Sequence, residues 1–230
     1  GGTSARPDAL ARFSDETWDW MKKSGLEGIF IGTESANNET LKIMNKGCVV
    51  EDTLKALEKA KKHGIRLEVP FIIGIPGTDV KKDFQINMKF INEHRKDVGQ
   101  FHMFVYTPYP GTALMTKAIQ LGYKPPKNLE GWVDYTLHTG VTPWVPKKYV
   151  NITDQLSIYF QFIAGNTEKV IKTVIPFPFT RVALIINKLV CKLADLRVKY
   201  SFFYFPAEYK IIKLVVRYRR LLFGNKNLLY

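Results

Sequence analysis

Cysteine, long apolar runs and, in the last third, acidic residues are what this 230-residue sequence has least of. Its two cysteines, Cys48 and Cys191, lie far apart with no pairing pattern. That excludes a disulfide framework, points to a reducing cytosolic setting, and leaves neither thiol a metal site on its own. No uninterrupted apolar run approaches the length of a membrane span, the longest being cut by Lys188, Lys192 and Lys213. Gly1-Gly2-Thr3-Ser4 has no basic segment leading into an apolar one, so no signal peptide is expected. The absence of any Gly-x-x-x-x-Gly-Lys-Ser/Thr pattern excludes that type of phosphate loop.

What is present suffices for a packed core: 46% of residues are hydrophobic and 13% aromatic, enough for one sizeable domain or two small ones. The formal charge is +13, unevenly placed. Residues 1–150 carry 21 basic and 17 acidic side chains, residues 151–230 carry 13 and 4. This shift sets a compositional boundary near residue 150 and suggests that the second part faces something anionic. The expected organisation is an α/β region over 1–123, a Pro- and Trp-rich connector over 124–150, and a basic helical region over 151–230.

Three apolar runs close on glycine or proline: Gly28 to Ser35, Phe71 to Thr78 and Val105 to Thr112. Each precedes a helical pattern, which is the plan of β-helix-β units whose parallel strand ends line up on one ligand-binding face. Residues 3–7 are expected to end an earlier strand. Helices are expected over 14–24 with Ser14 as cap, over 39–45 capped by Asn37 or Asn38, and over 51–63 stopped by Gly64. Further helices are expected over 79–94 capped by Thr78, and over 112–121. The strand at 67–75 is apolar enough to be buried on both sides, and Pro70 within it marks either a late start or an irregular point. The connector is expected to cross a face of the sheet with Trp132, Tyr135 and Trp144 as anchors. Helices follow over 151–174, 182–198 and 209–222.

Glu34 is the leading chemical candidate. A carboxylate just past a buried strand can accept two hydrogen bonds from a ribose diol or one from an ammonium, with Ser35 beside it. The same spacing equally suits a salt bridge to a neighbouring loop, with Ser35 or Asn37 capping the next helix. Gly77, Pro108 and Gly111 offer backbone rather than titrating groups: glycine allows close approach and proline stiffens the loop, so free N–H and C=O groups there could read a flat base such as adenine. A plain β-to-α turn with a threonine cap is the simpler reading. Arg6 could pair with a ligand carboxylate or sit on the surface. The histidines show no ligand spacing; His63 and His94 close helices, and His102 could line a pocket.

Taken as an ordered set, Ile31-Gly32-Thr33-Glu34-Ser35, Leu41 through Met44-Asn45-Lys46-Gly47, Gly64-Ile65, Phe71-Ile72-Ile73-Gly74-Ile75-Pro76-Gly77 and Pro108-Tyr109-Pro110-Gly111-Thr112 resemble a known family. They resemble the C-terminal half of a radical S-adenosylmethionine (SAM) domain, in the subgroup that usually carries a cobalamin-binding domain. Arg6 matches that family's arginine before the helix of the third strand, and Trp132 with Tyr135 its Trp-containing segment after the barrel. The resemblance implies the C-terminal half of a partial (β/α)6 TIM-like barrel holding SAM at its C-terminal face. Glu34 and Ser35 would meet the ribose or amino-acid end. The backbone of Ile31, Gly32, Gly77 and Pro108 to Gly111 would border the adenine, and Arg6 would lie nearby.

The sequence also departs from that pattern. It has no Cys-x-x-x-Cys-x-x-Cys loop for a 4Fe-4S cluster, no Gly-Gly-Glu segment, and no Asp-x-His-x-x-Gly cobalamin signature. Thr78-Asp79 replaces the Glu-Thr common after Pro-Gly. The expectation is a fragment, inactive alone, whose complete parent pairs this wall with a cluster-bearing N-terminal half, with cobalamin, and with a hydrophobic small-molecule substrate. The alternative is a non-catalytic membrane-surface or interaction protein that keeps half an enzyme fold. For the basic region three readings stand: helices lying on an anionic membrane surface, nucleic-acid binding, for which no module is recognisable, or a solvated helical cap.

Overall fold

The computed structural model describes residues 1–132, 142–175 and 178–223. Four strands, β1 (Gly2–Ala5), β2 (Gly28–Ile31), β3 (Arg66–Ile73) and β4 (Gln100–Val105), form one parallel sheet in the order of the sequence. Helices fill the crossovers: α1 (Pro7–Arg12) and α2 (Asp15–Lys23), then α3 (Asn38–Ile43) and α4 (Val50–His63), then α5 (Val80–His94), with α6 (Ala113–Gln120) after β4. Local chemistry sets their limits. Pro7 starts α1, where a missing N–H costs nothing. Ser14 Oγ accepts the Thr17 N–H at the start of α2, and Gly64, at φ 64°, ends α4 in the left-handed conformation. The chain is thus α/β with parallel strands, followed by a helical region.

The core lies between the sheet and its helices. Ile29, Ile31, Leu67, Val69, Phe71 and Ile73 are almost fully buried there, with Trp18, Leu57 and Ile91 from the helices. The expectation that β3 is buried on both sides does not hold. Its alternate residues Glu68 and Ile72 are only half-buried, and with Phe30, His102 and Phe104 they form a second, open face. On that face Phe30 and His102 lie 5.5 Å apart between ring centroids, and His102 Nε2 meets Glu68 Oε2 at 3.0 Å.

Pro70 resolves into the second of its two readings. β3 runs through it, pairing Pro70 with His102 of β4. On its other edge the register to β2 slips, from Phe30 opposite Glu68 to an isolated bridge between Glu34 and Phe71. Four residues of the β2 side thus span three of β3, a bulge, and the missing N–H of proline falls at the break. The cap of α5 is Asp79, not Thr78: its carboxylate accepts from Lys81 N–H and Lys82 N–H, while Thr78 Oγ1 donates to Ile75 O. Thr112 likewise turns its hydroxyl to Tyr109 O instead of capping α6.

Contacts divide the chain into units 1–154 and 155–230, the division falling inside α7 (Lys147–Ile163). The single helix expected over 151–174 is two. Gly165, at φ 75°, separates α7 from α8 (Asn166–Val174). α9 (Phe179–Lys199) and α10 (Ala207–Phe223) follow. Of the connector's anchors, Trp144 lies across the end of β3, donating Nε1–H to Gly74 O at 2.9 Å, whereas Tyr135 falls outside the described residues. A Cβ on Gly74 would come 2.3 Å from Val145 Cγ2, so that crossing requires glycine.

Candidate cofactor-facing site at the strand ends

The bulge after β2 decides where Glu34 points. Its backbone sits at φ 61°, a left-handed conformation that costs a non-glycine residue about 1–2 kcal/mol. Two hydrogen bonds to β3 hold it there: Glu34 N–H donates to Pro70 O at 3.1 Å and Ile72 N–H to Glu34 O at 2.7 Å. The side chain is turned toward the loop after α3, where Lys46 Nζ meets Oε1 at 2.8 Å, with both side chains about four-fifths buried. Among the described residues Oε2 has no hydrogen-bond partner. The pair occupies the space a side chain on Gly32 would need, since a Cβ there would lie 3.0 Å from Lys46 Nζ and 3.2 Å from Glu34 Oε1.

Arg6 joins the same cluster from the end of β1. Its Nε–H donates to Asp8 Oδ1 at 2.9 Å, and its terminal N–H groups reach Lys46 O and Gly47 O. Arg6, Gly32, Glu34 and the Lys46–Gly47 loop therefore form one connected group across β1 and β2. Ile31 is fully buried, presenting only backbone. Ser35 is also fully buried, its Oγ accepting Asn37 N–H at 3.1 Å, so its hydroxyl shapes the loop. Gly77, at φ 92°, and Gly111, at φ 79°, are exposed in the loops after β3 and β4, with open space where a Cβ would stand. Pro108 is buried and Tyr109 exposed beside it. Strand order places these loops in a row with the Glu34 cluster, but no hydrogen bond or ion pair joins Gly77, Pro108 or Gly111 to it among the described residues.

Three supporting residues escaped the sequence reading. Lys46, named in the Met44-Asn45-Lys46-Gly47 stretch but without a role, is the ion-pair partner of Glu34. Asp83 and Asn87 lie fully buried one turn apart on α5. Asp83 Oδ1 accepts from Asn37 Nδ2–H and from Thr40 Oγ1–H, each at 2.8 Å, and Asn87 Oδ1 accepts Ala36 N–H at 2.9 Å. They tie the Ser35–Thr40 turn to α5. The signal was there: two polar residues on the stripe of Phe84, Met88 and Ile91 break its apolar pattern without being solvent-facing.

A carboxylate oxygen without a hydrogen-bond partner among the described residues can accept from the diol or ammonium of a nucleoside cofactor. An iron–sulfur cluster does not fit these residues. Cys48 and Cys191 are both free, burial raises both thiols above their ordinary range, and the described residues contain no group of three or more His, Cys, Asp or Glu able to hold a metal. Nor does His63 offer a ring nitrogen to cobalamin, since carboxylates of Asp19 and Asp15 engage its Nδ1 and Nε2. A shallow depression lined by Gly1 to Ser4, Phe30, Arg66 and Glu68 lies at the opposite ends of the strands and gathers none of these groups.

The Radical SAM superfamily model matches residues 4–89. An uncharacterised methyltransferase of Pyrococcus horikoshii is 29% identical over 145 residues, 63% of this chain and 29% of that protein. A tRNA-2-methylthio-N(6)-dimethylallyladenosine synthase of Erythrobacter litoralis is 32% identical over 95 residues, 40% of this chain and 21% of the relative. The bacteriochlorophyllide d C-12(1)-methyltransferase of Chlorobaculum tepidum is 37% identical over 91 residues, 39% and 19%. This chain therefore spans less than a third of the length of the curated relatives it matches. Arg6, Ile31, Gly32, Glu34, Ser35 and Gly77 all fall inside the family match, and over residues 4–89 the chain is similar to the radical SAM superfamily.

Proposed function

We propose that this chain forms the nucleoside-facing wall of a radical SAM site, in which Glu34 binds the cofactor and the loops after β3 and β4 border its adenine. The observation that carries the reading is the backbone of Glu34, held at φ 61° by two hydrogen bonds in a bulge. Strain of this kind persists where surrounding structure imposes it, and bulges re-aim side chains next to sites. In this reading Glu34 Oε2 accepts from the ribose hydroxyls or the ammonium. Lys46 orients the carboxylate through Oε1, while Arg6 fixes the Lys46–Gly47 loop. Asp83 and Asn87 hold the following turn, so that Gly32 and Glu34 keep their places.

The cluster that generates the radical is supplied by residues outside this sequence, since the residues here do not ligate one. The reaction is methyl transfer or radical modification of a hydrophobic substrate, with cobalamin as the expected second cofactor. A relative named for bacteriochlorophyllide methylation supports this substrate class. Two experiments test the proposal. Coding DNA adjoining Gly1 is expected to encode a Cys-x-x-x-Cys-x-x-Cys loop in frame, and an adjoining frame without one overturns the enzyme reading. In the complete, cluster-reconstituted protein, Glu34→Ala is expected to weaken SAM binding about tenfold or more in equilibrium dialysis, the worth of a charged hydrogen bond. Unchanged affinity returns Glu34 to a purely structural ion pair.

A further inference from the structure

α9 has its polarity arranged the wrong way round for a helix that only caps a core. Its buried positions are Asn187, Ala194, Arg197 and Val198. Its large apolar residues Val182, Ile185, Ile186, Leu189, Leu193 and Leu196 are exposed, Leu189 at 62% and Ile185 at 62%. At about 100° per residue these six fall within an arc of roughly 100°, and Tyr200 continues it at the C-terminal end. Along one margin run Arg181, Lys188, Lys192 and Lys199, all exposed, a basic rail about 27 Å long.

A second observation lies at the end of the helix. Buried Arg197 gathers the carbonyls of the following turn: its terminal N–H groups donate to Phe202 O, Tyr204 O and Phe205 O at 2.9–3.0 Å, and to Glu208 Oε2 at 3.0 Å. Of the rings in this turn Phe203 is buried, whereas Phe202, Tyr204 and Phe205 face outward, Tyr204 73% and Phe205 90% exposed. Ser201 and Phe205 both take φ 49°, a left-handed backbone that is unfavourable for a β-substituted residue and worst for a bulky one. The corner thus spends backbone strain on presenting aromatic rings to solvent.

We propose that the apolar arc of α9 and the exposed rings of Phe202, Tyr204 and Phe205 form a docking surface for an anionic lipid bilayer, α9 lying in the plane of the interface. Charge complementarity selects this occupant. Residues 151–230 carry 13 basic against 4 acidic side chains, and the rail sets four cations beside an apolar arc, the layout of a helix lodged between headgroups and acyl chains. A second copy of this chain would bring a like-charged rail to the same face. Aromatic rings at such a margin suit the headgroup level, and no described helix is long and apolar enough to cross the membrane.

The test is flotation of the chain with vesicles of phosphatidylcholine alone or with phosphatidylglycerol added. Binding is expected only with the anionic vesicles and to weaken as salt is raised. Lys188→Gln and Lys192→Gln should each weaken it about fivefold. Leu189→Asn with Phe205→Ser should abolish it while the circular dichroism spectrum stays unchanged, since neither side chain is packed. Equal binding to neutral vesicles, indifference to these substitutions, or no flotation overturns the proposal. So does a concentration-dependent dimer in sedimentation that Leu189→Asn dissolves without any vesicle binding, which would make the occupant a second copy.

Discussion

α4 in the first unit and α9 in the second carry similar amphipathic stripes, yet α4 buries its stripe and α9 exposes it. Ala56, Leu57 and Ala60 of α4 are packed in the core, with lysines on the opposite side. In α9 the buried positions are Asn187, Ala194, Arg197 and Val198, while Ile185, Ile186, Leu189, Leu193 and Leu196 face outward. The difference teaches that an apolar stripe says a helix will be partnered without saying by what. In the first unit the partner is the sheet. In the second, the proposed partner is a lipid surface outside the polypeptide.

The same contrast runs through the polar groups. In the first unit they are spread along the strand ends, where Glu34, Lys46 and Arg6 share a cluster left partly open. In the second they converge on one closed knot. Tyr159 Oη donates to Glu208 Oε1 at 2.7 Å, Glu208 pairs with Arg197, and burial pushes the Tyr159 hydroxyl well above its ordinary range. An open cluster is available to a ligand, whereas a closed one fixes a corner.

Four experiments sharpen or break this comparison. The largest effect is expected from Arg197→Ala, which leaves Glu208 buried without its cation and frees three carbonyls; it should cost about 3 kcal/mol or more in urea unfolding. Next, Leu57→Ala should cost about 3 kcal/mol through the cavity it leaves in the core, whereas Leu189→Ala should change stability by no more than about 0.5 kcal/mol. Equal costs at the two leucines would mean that α9 buries its apolar arc within the protein.

A smaller effect separates binding from folding at the strand ends. Glu34→Gly relieves the left-handed strain, about 1–2 kcal/mol, but leaves Lys46 without its carboxylate and loosens the unfolded chain, so stability should change by no more than about 1 kcal/mol while cofactor affinity falls. A loss of about 3 kcal/mol or more with unchanged cofactor affinity would mean that Glu34 is there for structure. The smallest effect concerns the open face of the sheet. The hydrogen bond from His102 holds the Glu68 carboxyl below its ordinary range. A depressed carboxylate adds stability above its unfolded value, which is lost as pH falls through the folded one. The urea midpoint should therefore drop as pH is lowered below 4.5, the ordinary value, and Glu68→Gln should flatten that slope.

Much of the first unit was legible because its signals are local. Ser14, Asn37 and Gly64 punctuate helices by chemistry confined to a few residues, and all three act as expected. Where two caps compete within a few residues, as with Thr78 and Asp79, reach decides, and the carboxylate one residue later collects two N–H groups. α1 went unrecognised because six residues give no period to read, although Pro7 marked its start. The break at Gly165 was hidden in a run whose apolar spacing continues on both sides.

By itself the sequence determined the alternation of strands and helices, the row of glycine- and proline-bearing strand ends, the family resemblance, and the basic character of 151–230, because each is written in residue type and spacing. Only the tertiary structure decided that β3 has one open face, that Pro70 sits opposite a bulge, that Glu34 is strained and shared with Lys46, and that α9 turns its leucines outward. Those facts depend on register and on which neighbours arrive from far along the chain. A period fixes which residues share a face, and only packing fixes what that face meets.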